Sequence, residues 1–216
     1  MNATSYPTSE GRKLLLALVE TIESNGNYLS EIDGATGDGD HGINMSKGFR
    51  RTREKLGEQN VTVTQGLDML GQVLLAEIGG AMGPLYGSFF IDMGQACKDS
   101  PAIDKEVFGK MLKAAVAVMQ DLGGAKVGDK TMIDALVPAV EEYEKAVAEG
   151  ASFSDALNRM TDAAEKGKEA TRGMIAKLGR ASRLGERSRG ILDAGATSCS
   201  MLLKTFSDTF QSADKK

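Results

Sequence analysis

Apolar residues recur at spacings of three and four along most of this 216-residue chain, and this period restricts the fold more than any other feature. Such spacing puts apolar side chains on one face of a helix with about 3.6 residues per turn. Strict alternation over a strand length is nearly absent, so strands are hard to place. The pattern therefore predicts an all-α protein.

The period predicts eight helices, and the composition is that of a single domain spanning residues 1–216. Hydrophobic residues make up 41% and charged residues 26% of the chain, which is typical of a protein that buries a core. Gly150 is predicted to end the sixth helix, while Asp104 and Ser152 are predicted to cap the fifth and seventh. The predicted helices span residues 10–24, 43–56, 63–78, 85–98, 105–122, 131–148, 153–178 and 196–211.

Charge, hydropathy and cysteine usage exclude several classes of protein. The net charge of -4 leaves no general field to attract nucleic acid or an anionic membrane. Apolar stretches such as residues 14–19 are far shorter than the ~20 residues that span a bilayer, and the N-terminus lacks a signal-peptide pattern. Cys97 and Cys199 are isolated, which favours buried free thiols over a disulfide or a zinc site. We expect a cytoplasmic protein that contacts neither nucleic acid nor membrane.

Glycine-containing joins after four of the predicted helices are too elaborate for simple turns. They span residues 33–42, 79–84, 123–131 and 179–195. Each follows an odd-numbered helix, and in an antiparallel bundle the joins after odd-numbered helices lie at one end. The four joins are therefore predicted to meet, and loops on a rigid scaffold often carry function.

The first join holds three carboxylates, Asp33, Asp38 and Asp40, interleaved with glycines that permit a turn. Converging carboxylates repel one another unless a cation lies between them, and all-oxygen ligands select hard ions. The spacing does not match an EF-hand calcium loop, so magnesium fits better than calcium. The alternative is a solvated acidic turn whose aspartates only cap the next helix.

Two helix N-termini beside these joins are candidate phosphate sites, because exposed first-turn amides attract anions. His41 and Asn44 lie at the first of them, where a purely structural histidine is the alternative. The glycines of residues 79–83 allow close backbone approach at the second, although a glycine cap without a ligand would look similar. Neither a P-loop nor a Rossmann glycine fingerprint is present in the sequence.

The last two joins supply a candidate base contact and positive charge. Met132 offers a polarizable face for a flat base, or packs in the core, and Asp129 or Thr131 can cap the helix beside it. Guanidinium groups suit phosphate, but a surface cluster paired with Glu186 and Asp193 would use the same residues. The clustered arginines are Arg180, Arg183, Arg187 and Arg189.

Together these motifs resemble those of the nucleotide-binding, or L, subunits of bacterial dihydroxyacetone kinases. The resemblance covers almost the whole chain and rests on segments that occur in the same order. They are Asp33 with GDGDHGINM (37–45), GGAMGPLYGSFF (79–90), GDKTMIDALVPA (128–139), and GRASRLGERSRG (179–190) with DAGATS (193–198).

The resemblance implies a barrel-like bundle of eight antiparallel helices that holds ADP or ATP in loops at one end. Asp33, Asp38 and Asp40 would bind two Mg²⁺ ions that bridge the nucleotide phosphates. Phosphoryl transfer needs no protein nucleophile, so no residue is assigned a catalytic role, and His41 is the one open candidate. The implied nucleotide-binding residues are His41, Gly42, Ile43, Asn44, Gly80, Ala81, Met82, Gly123, Gly124, Met132, Arg180, Asp193, Ala194 and Gly195.

The resemblance also implies partner subunits. A K subunit would hold dihydroxyacetone, and an M subunit of the phosphotransferase system would rephosphorylate bound ADP, which then acts as a cofactor. One alternative is a subunit that exchanges ATP freely and serves another short ketose, such as erythrulose. Another is a nucleotide-dependent module that controls a transcription regulator, and a homodimer also stays open.

Two departures from the family pattern fall inside the candidate site. Met82 stands where relatives commonly carry a hydroxyl residue, so one hydrogen bond to phosphate would be absent or would be replaced by backbone amides. Relatives often read HQDPGA where this chain has ILDAGA, with Ile191, Leu192 and Ala194 as the differences. These changes are expected to alter the lip of the pocket, with an effect on sugar specificity or on the partner surface.

Overall fold

The computed structural model describes residues 4–212, and most of them lie in α-helices, which confirms the predicted all-α fold. Within this range there are eight α-helices. Each contacts the next along the chain, and the last contacts the first, so the helices form a closed ring. They are α1 Gly11–Gly34, α2 His41–Leu56, α3 Val63–Glu77, α4 Met82–Ala96, α5 Lys105–Gly123, α6 Ile133–Ala148, α7 Phe153–Ala170 and α8 Ala194–Gln211.

Apolar side chains from all eight helices fill the inside of the ring as one continuous cluster. Fully buried aromatic residues, including Phe49, Phe89, Phe108 and Phe206, lie at its centre. Cys97 and Cys199 are buried free thiols, as predicted. No helix in the described part of the chain combines the length and the apolarity needed to span a bilayer. The packed ring is therefore a rigid scaffold for the joins at its ends.

A short pair of strands that the sequence did not predict lies at one end of the ring. β1 (Ser5–Pro7) pairs antiparallel with β2 (Ala102–Asp104), which places Tyr6 opposite Ile103. Strands of three residues are too short to produce a readable alternation. Tyr6 is fully buried and its hydroxyl donates to the Glu10 carbonyl at 2.7 Å, which ties the start of α1 to the join before α5.

Two predicted helix ends were wrong. The first helix was expected to stop at Ser24, but α1 continues to Gly34, with Leu29 and Ile32 buried in its last turns. The seventh was expected to reach Leu178, but α7 ends at Ala170 and passes into a 3₁₀ turn, Thr171–Gly173. The polar stretch of residues 24–27 resembles a helix stop in sequence, whereas packing against α2 keeps it helical.

The predicted caps are confirmed at α5 and α7. Asp104 Oδ1 accepts a hydrogen bond from the Val107 amide at 2.8 Å, and Ser152 Oγ accepts from the Asp155 amide at 3.1 Å. Gly150 follows α6 with φ +81°, a left-handed conformation that glycine adopts without steric strain. Local capping chemistry therefore sets these helix ends.

Glycines bring α1 and α2 unusually close together beside the carboxylate join. A Cβ on Gly42 would lie 1.8 Å from the Gly26 carbonyl oxygen, and a Cβ on Gly26 would lie 2.3 Å from Ser46 Oγ. No side chain larger than hydrogen fits at Gly42 unless the two backbones separate. Gly42 thus fixes the spacing of the helices that hold Asp33 and Asp40.

Replacing Gly42 by alanine is expected to destabilise the protein by about 3 kcal/mol or more, because the clash is with backbone atoms that cannot rotate away. Gly109→Ala in α5 is the matched control, since its Cβ would meet only Tyr143 Cε1 at 3.6 Å, an ordinary contact. The measurement is chemical denaturation of both variants and the wild type. Equal free energies of unfolding for the two variants would contradict the close-packing argument.

Candidate functional site

The joins after α1, α3, α5 and α7 meet at one end of the ring, as predicted from their order, and line a cleft of about 600 Å³. Consecutive helices of the ring, which these joins connect, run antiparallel. The predicted site residues that line the cleft come from all four joins. They are Asp33, Asp38, Asp40, His41, Asn44, Gly80, Ala81, Met82, Gly123, Met132, Arg180, Asp193, Ala194 and Gly195.

Three of the predicted residues do not line the cleft. Gly42 is buried against α1, and the Ile43 side chain is 66% exposed on the outside of α2. Gly124 ends α5 in a left-handed conformation with φ +59°. Their predicted contact with a nucleotide stays a prediction, and the structure gives Gly42 and Gly124 a role in shaping the backbone.

The carboxylates of Asp33, Asp38 and Asp40 converge, with one oxygen from each lying within 4.8 Å of the others. Asp33 is on the last turn of α1, and its Oδ2 accepts a hydrogen bond from the His41 amide at 3.3 Å. Asp40 directly precedes α2, but its side chain does not cap that helix. The interpretation of these aspartates as mere helix caps is therefore wrong for Asp40.

The donor set of this cluster fits a hard divalent cation. Carboxylate oxygens at this separation repel one another in the absence of positive charge, and oxygen ligands that leave room for water suit Mg²⁺. The cluster is partly open to the cleft, with Asp38 exposed and the other two half-buried. A cation held here would face the rest of the cleft rather than the protein core.

Arg180 faces this cluster although it lies far away in the sequence. Its Nη1 forms an ion pair with Asp38 and lies 3.4 Å from Asp40 Oδ2. Arg180 begins a 3₁₀ segment, Arg180–Ser188, which is kinked at Gly185 (φ +53°) and lies in the connection between α7 and α8. Glu186 forms an ion pair with Arg189 at 3.1 Å and not with Arg180. The predicted surface pairing of the arginine cluster with Glu186 therefore describes Arg189 but not Arg180. Arg180, which lines the cleft, is therefore within reach of an anion bound there as well as of these carboxylates.

Two helix N-termini open onto the cleft, at α2 and α4. The residue that precedes each helix provides no side-chain cap. The His41 amide of α2 already donates to Asp33 Oδ2, and Pro84 of α4 has no N–H, so the remaining first-turn amides are the ones available to an anion. Gly80, just before α4, has φ +70°, and a Cβ there would meet nothing within 4 Å. Met82 begins α4 and is half-buried, and since its side chain has no hydroxyl, only its backbone amide could donate to an anion at this point.

A hydrogen-bonded chain that sequence reasoning missed holds the His41 ring. His41 Nε2 lies 2.9 Å from Ser198 Oγ, which lies 2.6 Å from the Tyr86 hydroxyl. Burial lowers the pKa of His41 to about 4, against the opposing effect of the Asp33 charge. The ring is therefore neutral at pH 7 and held in place, which favours a structural role over a cationic one. Tyr86 and Ser198 carry no sequence signal that sets them apart, since α8 contains several other serines and threonines.

The α5–α6 join, residues 124–132, is shaped by Asp134, which the prediction did not include, together with Thr131 and Asp129, which were predicted as caps. Asp134 is buried and its two carboxylate oxygens accept from the Gly128 amide at 2.5 Å and the Thr131 amide at 2.7 Å. Thr131 Oγ1 accepts from the Ile133 amide at 3.2 Å, whereas Asp129 Oδ2 accepts from the Lys126 amide and does not cap α6. The charged residues of the GDKTMID segment were the signal for this network.

Met132 packs in the core and also lines the cleft, while its contact with a base stays a prediction. Its side chain is buried, with 6% exposed, and belongs to the main apolar cluster. It also lines the cleft next to Gly195, whose Cβ would lie 3.4 Å from the Met132 amide nitrogen. Met132 therefore forms part of an apolar wall that suits a flat ring.

Asp193 caps α8 at the edge of the cleft, since its Oδ2 accepts from the Ala196 amide at 2.7 Å. Burial raises the pKa of this carboxyl to about 6, although the Ala196 hydrogen bond opposes the shift. Its ordinary value is 3.8, so the folded state binds the proton more tightly than the unfolded state. The contribution of Asp193 to the free energy of unfolding therefore falls as the pH rises from about 4 to about 6.

Replacing Asp193 by asparagine should remove this loss, because asparagine caps a helix equally well and does not ionise. Without nucleotide, the variant is expected to match the wild type near pH 4 and to exceed its free energy of unfolding by about 1 to 3 kcal/mol at pH 8. Denaturation at both pH values measures this difference. An equal gain at pH 4 and pH 8 would mean that ionisation of Asp193 is not its source.

Comparison with known proteins agrees with the geometry of this end of the ring. The family model described as the DAK2 domain matches residues 35–208. The chain is 40% identical over 197 residues to the ADP-binding subunit DhaL of a PEP-dependent dihydroxyacetone kinase from Listeria innocua, covering 89% of this chain and 90% of that one. It is 36% identical over 188 residues to the corresponding Escherichia coli subunit, covering 86% and 89%.

Solved structures are similar over the same span. The native dihydroxyacetone kinase of C. freundii aligns with a TM-score of 0.71 and 26% identity, covering 94% of this chain but 35% of that one. The same kinase in complex with AMP-PNP and Mg²⁺ aligns with a TM-score of 0.67 and 27% identity, covering 91% and 33%. Because the family model matches residues 35–208, which include every residue that lines the cleft except Asp33, the chain belongs to the DAK2 domain family.

Proposed function

We propose that this protein is the ADP- or ATP-binding phosphoryl-transfer subunit of a dihydroxyacetone kinase. It would pass phosphate from a magnesium-bound nucleotide to dihydroxyacetone on a K-type partner. The observation that carries the proposal is the convergence of three carboxylates and Arg180 in one cleft. Relatives named as ADP-binding subunits support the nucleotide, and the related kinase complex with AMP-PNP and Mg²⁺ supports the metal.

Each part of the cleft has a task in this proposal. Asp33, Asp38 and Asp40 would hold two Mg²⁺ ions, which when bound supply charge neutralisation at the phosphates. The N-terminal amides of α2 and α4 orient the phosphate oxygens, and Arg180 stabilises the negative charge that develops during transfer. The chain itself needs only to position these groups, because phosphoryl transfer requires no covalent protein intermediate.

The apolar wall of the cleft suits the adenine ring. Met132 lines the cleft together with Leu85, Leu122 and Leu178. We infer that the glycine turn at Gly123 and the residues Asp193, Ala194 and Gly195 enclose the ribose and base. His41, neutral and fixed through Ser198, would orient the metal loop rather than exchange protons with the substrate.

A partner subunit would dock over the open end of the cleft. Large hydrophobic side chains are exposed around this end, which is unusual unless another surface covers them. They are Ile43 at 66%, Leu122 at 54%, Val127 at 53% and Leu178 at 39% exposed. We propose that the K subunit covers this rim during transfer, and that an M subunit uses the same opening to rephosphorylate ADP. Relatives named as PEP-dependent or PTS-dependent kinase subunits support that donor.

A second candidate is a kinase acting on a different short ketose. A relative from Mycolicibacterium smegmatis named D-erythrulose kinase is 36% identical over 195 residues, which cover 89% of this chain and 34% of that protein. The nucleotide end would be the same in both candidates, since the ketose would be held by the other part of the enzyme. The partner therefore decides which sugar is phosphorylated, and both dihydroxyacetone and erythrulose are needed as substrates in an activity test.

The test is purification in Mg²⁺ followed by mass spectrometry and ultraviolet absorbance, before and after EDTA. The protein is then combined with a K-type subunit and tested for phosphorylation of dihydroxyacetone and erythrulose, with ATP or with a phosphorylated M-type subunit. Stoichiometric ADP that EDTA removes, and transfer that requires the M-type subunit, are the expected results.

Two other outcomes separate the alternatives. Empty protein that supports transfer from free ATP would replace the bound-cofactor proposal with an ATP-exchanging kinase subunit. Protein that binds nucleotide with Mg²⁺ but supports transfer to neither sugar from either donor would favour a nucleotide-dependent module, with a transcription regulator as its partner.

A further inference from the structure

Lys130 is an unusual residue in the wall of the cleft. Its side chain is buried, with 2% exposed, and it is the one non-glycine residue with positive φ, +62°, within residues 4–212. A side chain disfavours this backbone conformation, so the surrounding contacts must hold it there. The Asp134 carboxylate helps to hold this conformation, because it accepts hydrogen bonds from the amides of Gly128 and Thr131, which lie on either side of Lys130 in the chain.

The strained backbone sends the Lys130 ammonium toward the connection between α7 and α8, residues 171–193. Its Nζ donates to the carbonyl oxygens of Ser188 at 2.5 Å, Ile191 at 2.7 Å and Met174 at 3.3 Å. An ammonium group has three donors, and these carbonyls use all of them. Within residues 4–212 no carboxylate lies within 4.0 Å of Nζ, so the ammonium is not half of an ion pair.

The three carbonyls bracket the segment that carries Arg180. Met174 precedes it, whereas Ser188 and Ile191 follow it. Apolar burial within this connection is slight, with Ala176 and Leu192 as its buried hydrophobic residues. Hydrogen bonds therefore hold the connection, and Lys130 provides side-chain bonds from the α5–α6 join to both of its ends, beside the backbone bond from the Lys177 amide to the Asp129 carbonyl at 3.1 Å. Arg180 reaches Asp38 and Asp40 from a segment whose position depends on that tie.

We propose that Lys130 is a positioning residue, whose ammonium sets where the 171–193 connection holds Arg180 over the carboxylate cluster. The proposal rests on the proposed function for its effect on phosphoryl transfer. Its structural part, the ordering of the connection by Lys130, can be measured without any nucleotide. A small displacement of a charged group at a reacting centre lowers the rate strongly, by about 100-fold for roughly 1 Å.

The test compares Lys130→Met, which keeps the length of the side chain without the charge, with Lys130→Arg, which keeps donors. Lys130→Gly removes the ammonium but relieves the positive φ, so it separates the two contributions if the methionine variant folds poorly. The matched control is Lys177→Met, because the exposed Lys177 links the same two segments through Asp129 Oδ1 at 3.1 Å. Hydrogen exchange, nucleotide affinity, kcat and KM are measured for each.

In the nucleotide-free protein, the amides of residues 174–191 are expected to exchange at least about 10-fold faster in Lys130→Met and Lys130→Gly than in the wild type. The kcat of both variants should fall about 100-fold, with a much smaller change in KM, and Lys130→Arg should restore part of it. Lys177→Met should retain the exchange rates and the kcat of the wild type.

Two outcomes would overturn the proposal. One is wild-type exchange of residues 174–191 in Lys130→Met and Lys130→Gly. The other is faster exchange with a wild-type kcat, which would leave Lys130 with a purely structural role. A wild-type protein that neither binds nucleotide nor supports transfer would instead defeat the proposed function, and the exchange data would still decide the structural part.

Discussion

Changing Asp38 and Asp40 together to asparagine is expected to weaken Mg²⁺-dependent nucleotide binding by well over 100-fold, so that the variant purifies without nucleotide. The two residues supply two of the three converging carboxylates. Loss of groups that merely support a metal ligand lowers affinity by about 10- to 100-fold, so loss of the ligands themselves should have a larger effect. Calorimetry with ADP and Mg²⁺ measures the affinity, and mass spectrometry detects the bound nucleotide.

The matched control for this variant is Asp99→Asn, an exposed aspartate that does not line the cleft. It should purify and bind like the wild type. The metal-free double variant should unfold within a few degrees of the wild type, because partly exposed charges contribute little to stability. Nucleotide binding that survives the double change, in protein with a normal melting curve, would contradict the assignment of the metal site.

Replacing Arg180 by methionine is expected to lower kcat for phosphoryl transfer by about 10³-fold, while nucleotide affinity changes by about 10-fold or less. The reason is that Arg180 is the guanidinium that faces the carboxylate cluster, where charge would develop during transfer. Arg180→Lys should restore only part of the rate, since an ammonium group lacks the planar fork of guanidinium. Steady-state kinetics with the K-type partner gives kcat and KM for both.

Arg183→Met is the control for this change. Arg183 lies in the same 3₁₀ helix, but it is exposed and does not line the cleft. Its kcat should stay within about 2-fold of the wild type, as is usual for substitutions at exposed positions. If Arg183→Met lowered kcat as much as Arg180→Met, the general positive charge of the segment, rather than the position of Arg180, would explain the effect.

Arg180 also links the two predictions, because it pairs with the carboxylates that would hold the metal. In the absence of a cation, its guanidinium supplies the positive charge that the carboxylates need. A cation that binds to Asp38 and Asp40 takes over this role, which would free Arg180 for a phosphate. The affinity of Arg180→Met for Mg²⁺ alone should therefore equal or exceed that of the wild type.

Much of the architecture was readable in the sequence. Apolar residues at spacings of three and four predicted the helices. Glycine and capping residues predicted helix ends such as those at Gly150 and Ser152, because these signals act over one or two helical turns. The order of the glycine joins then placed them at one end of the ring, since consecutive antiparallel helices alternate in direction. The carboxylates of Asp33, Asp38 and Asp40 were also found locally, within eight residues of one another.

Only the tertiary structure decided the contacts between residues that are distant in the chain. It brought Arg180 into an ion pair with Asp38 and Ser198 into a hydrogen bond with His41. It also placed the Lys130 ammonium among carbonyls of residues 174–191. It also kept α1 helical beyond Ser24, where local propensity favoured a stop. The physical reason is shared: each of these features depends on how closely particular helices and connections pack, and a periodic pattern gives the face that a residue occupies but not the partner that it meets.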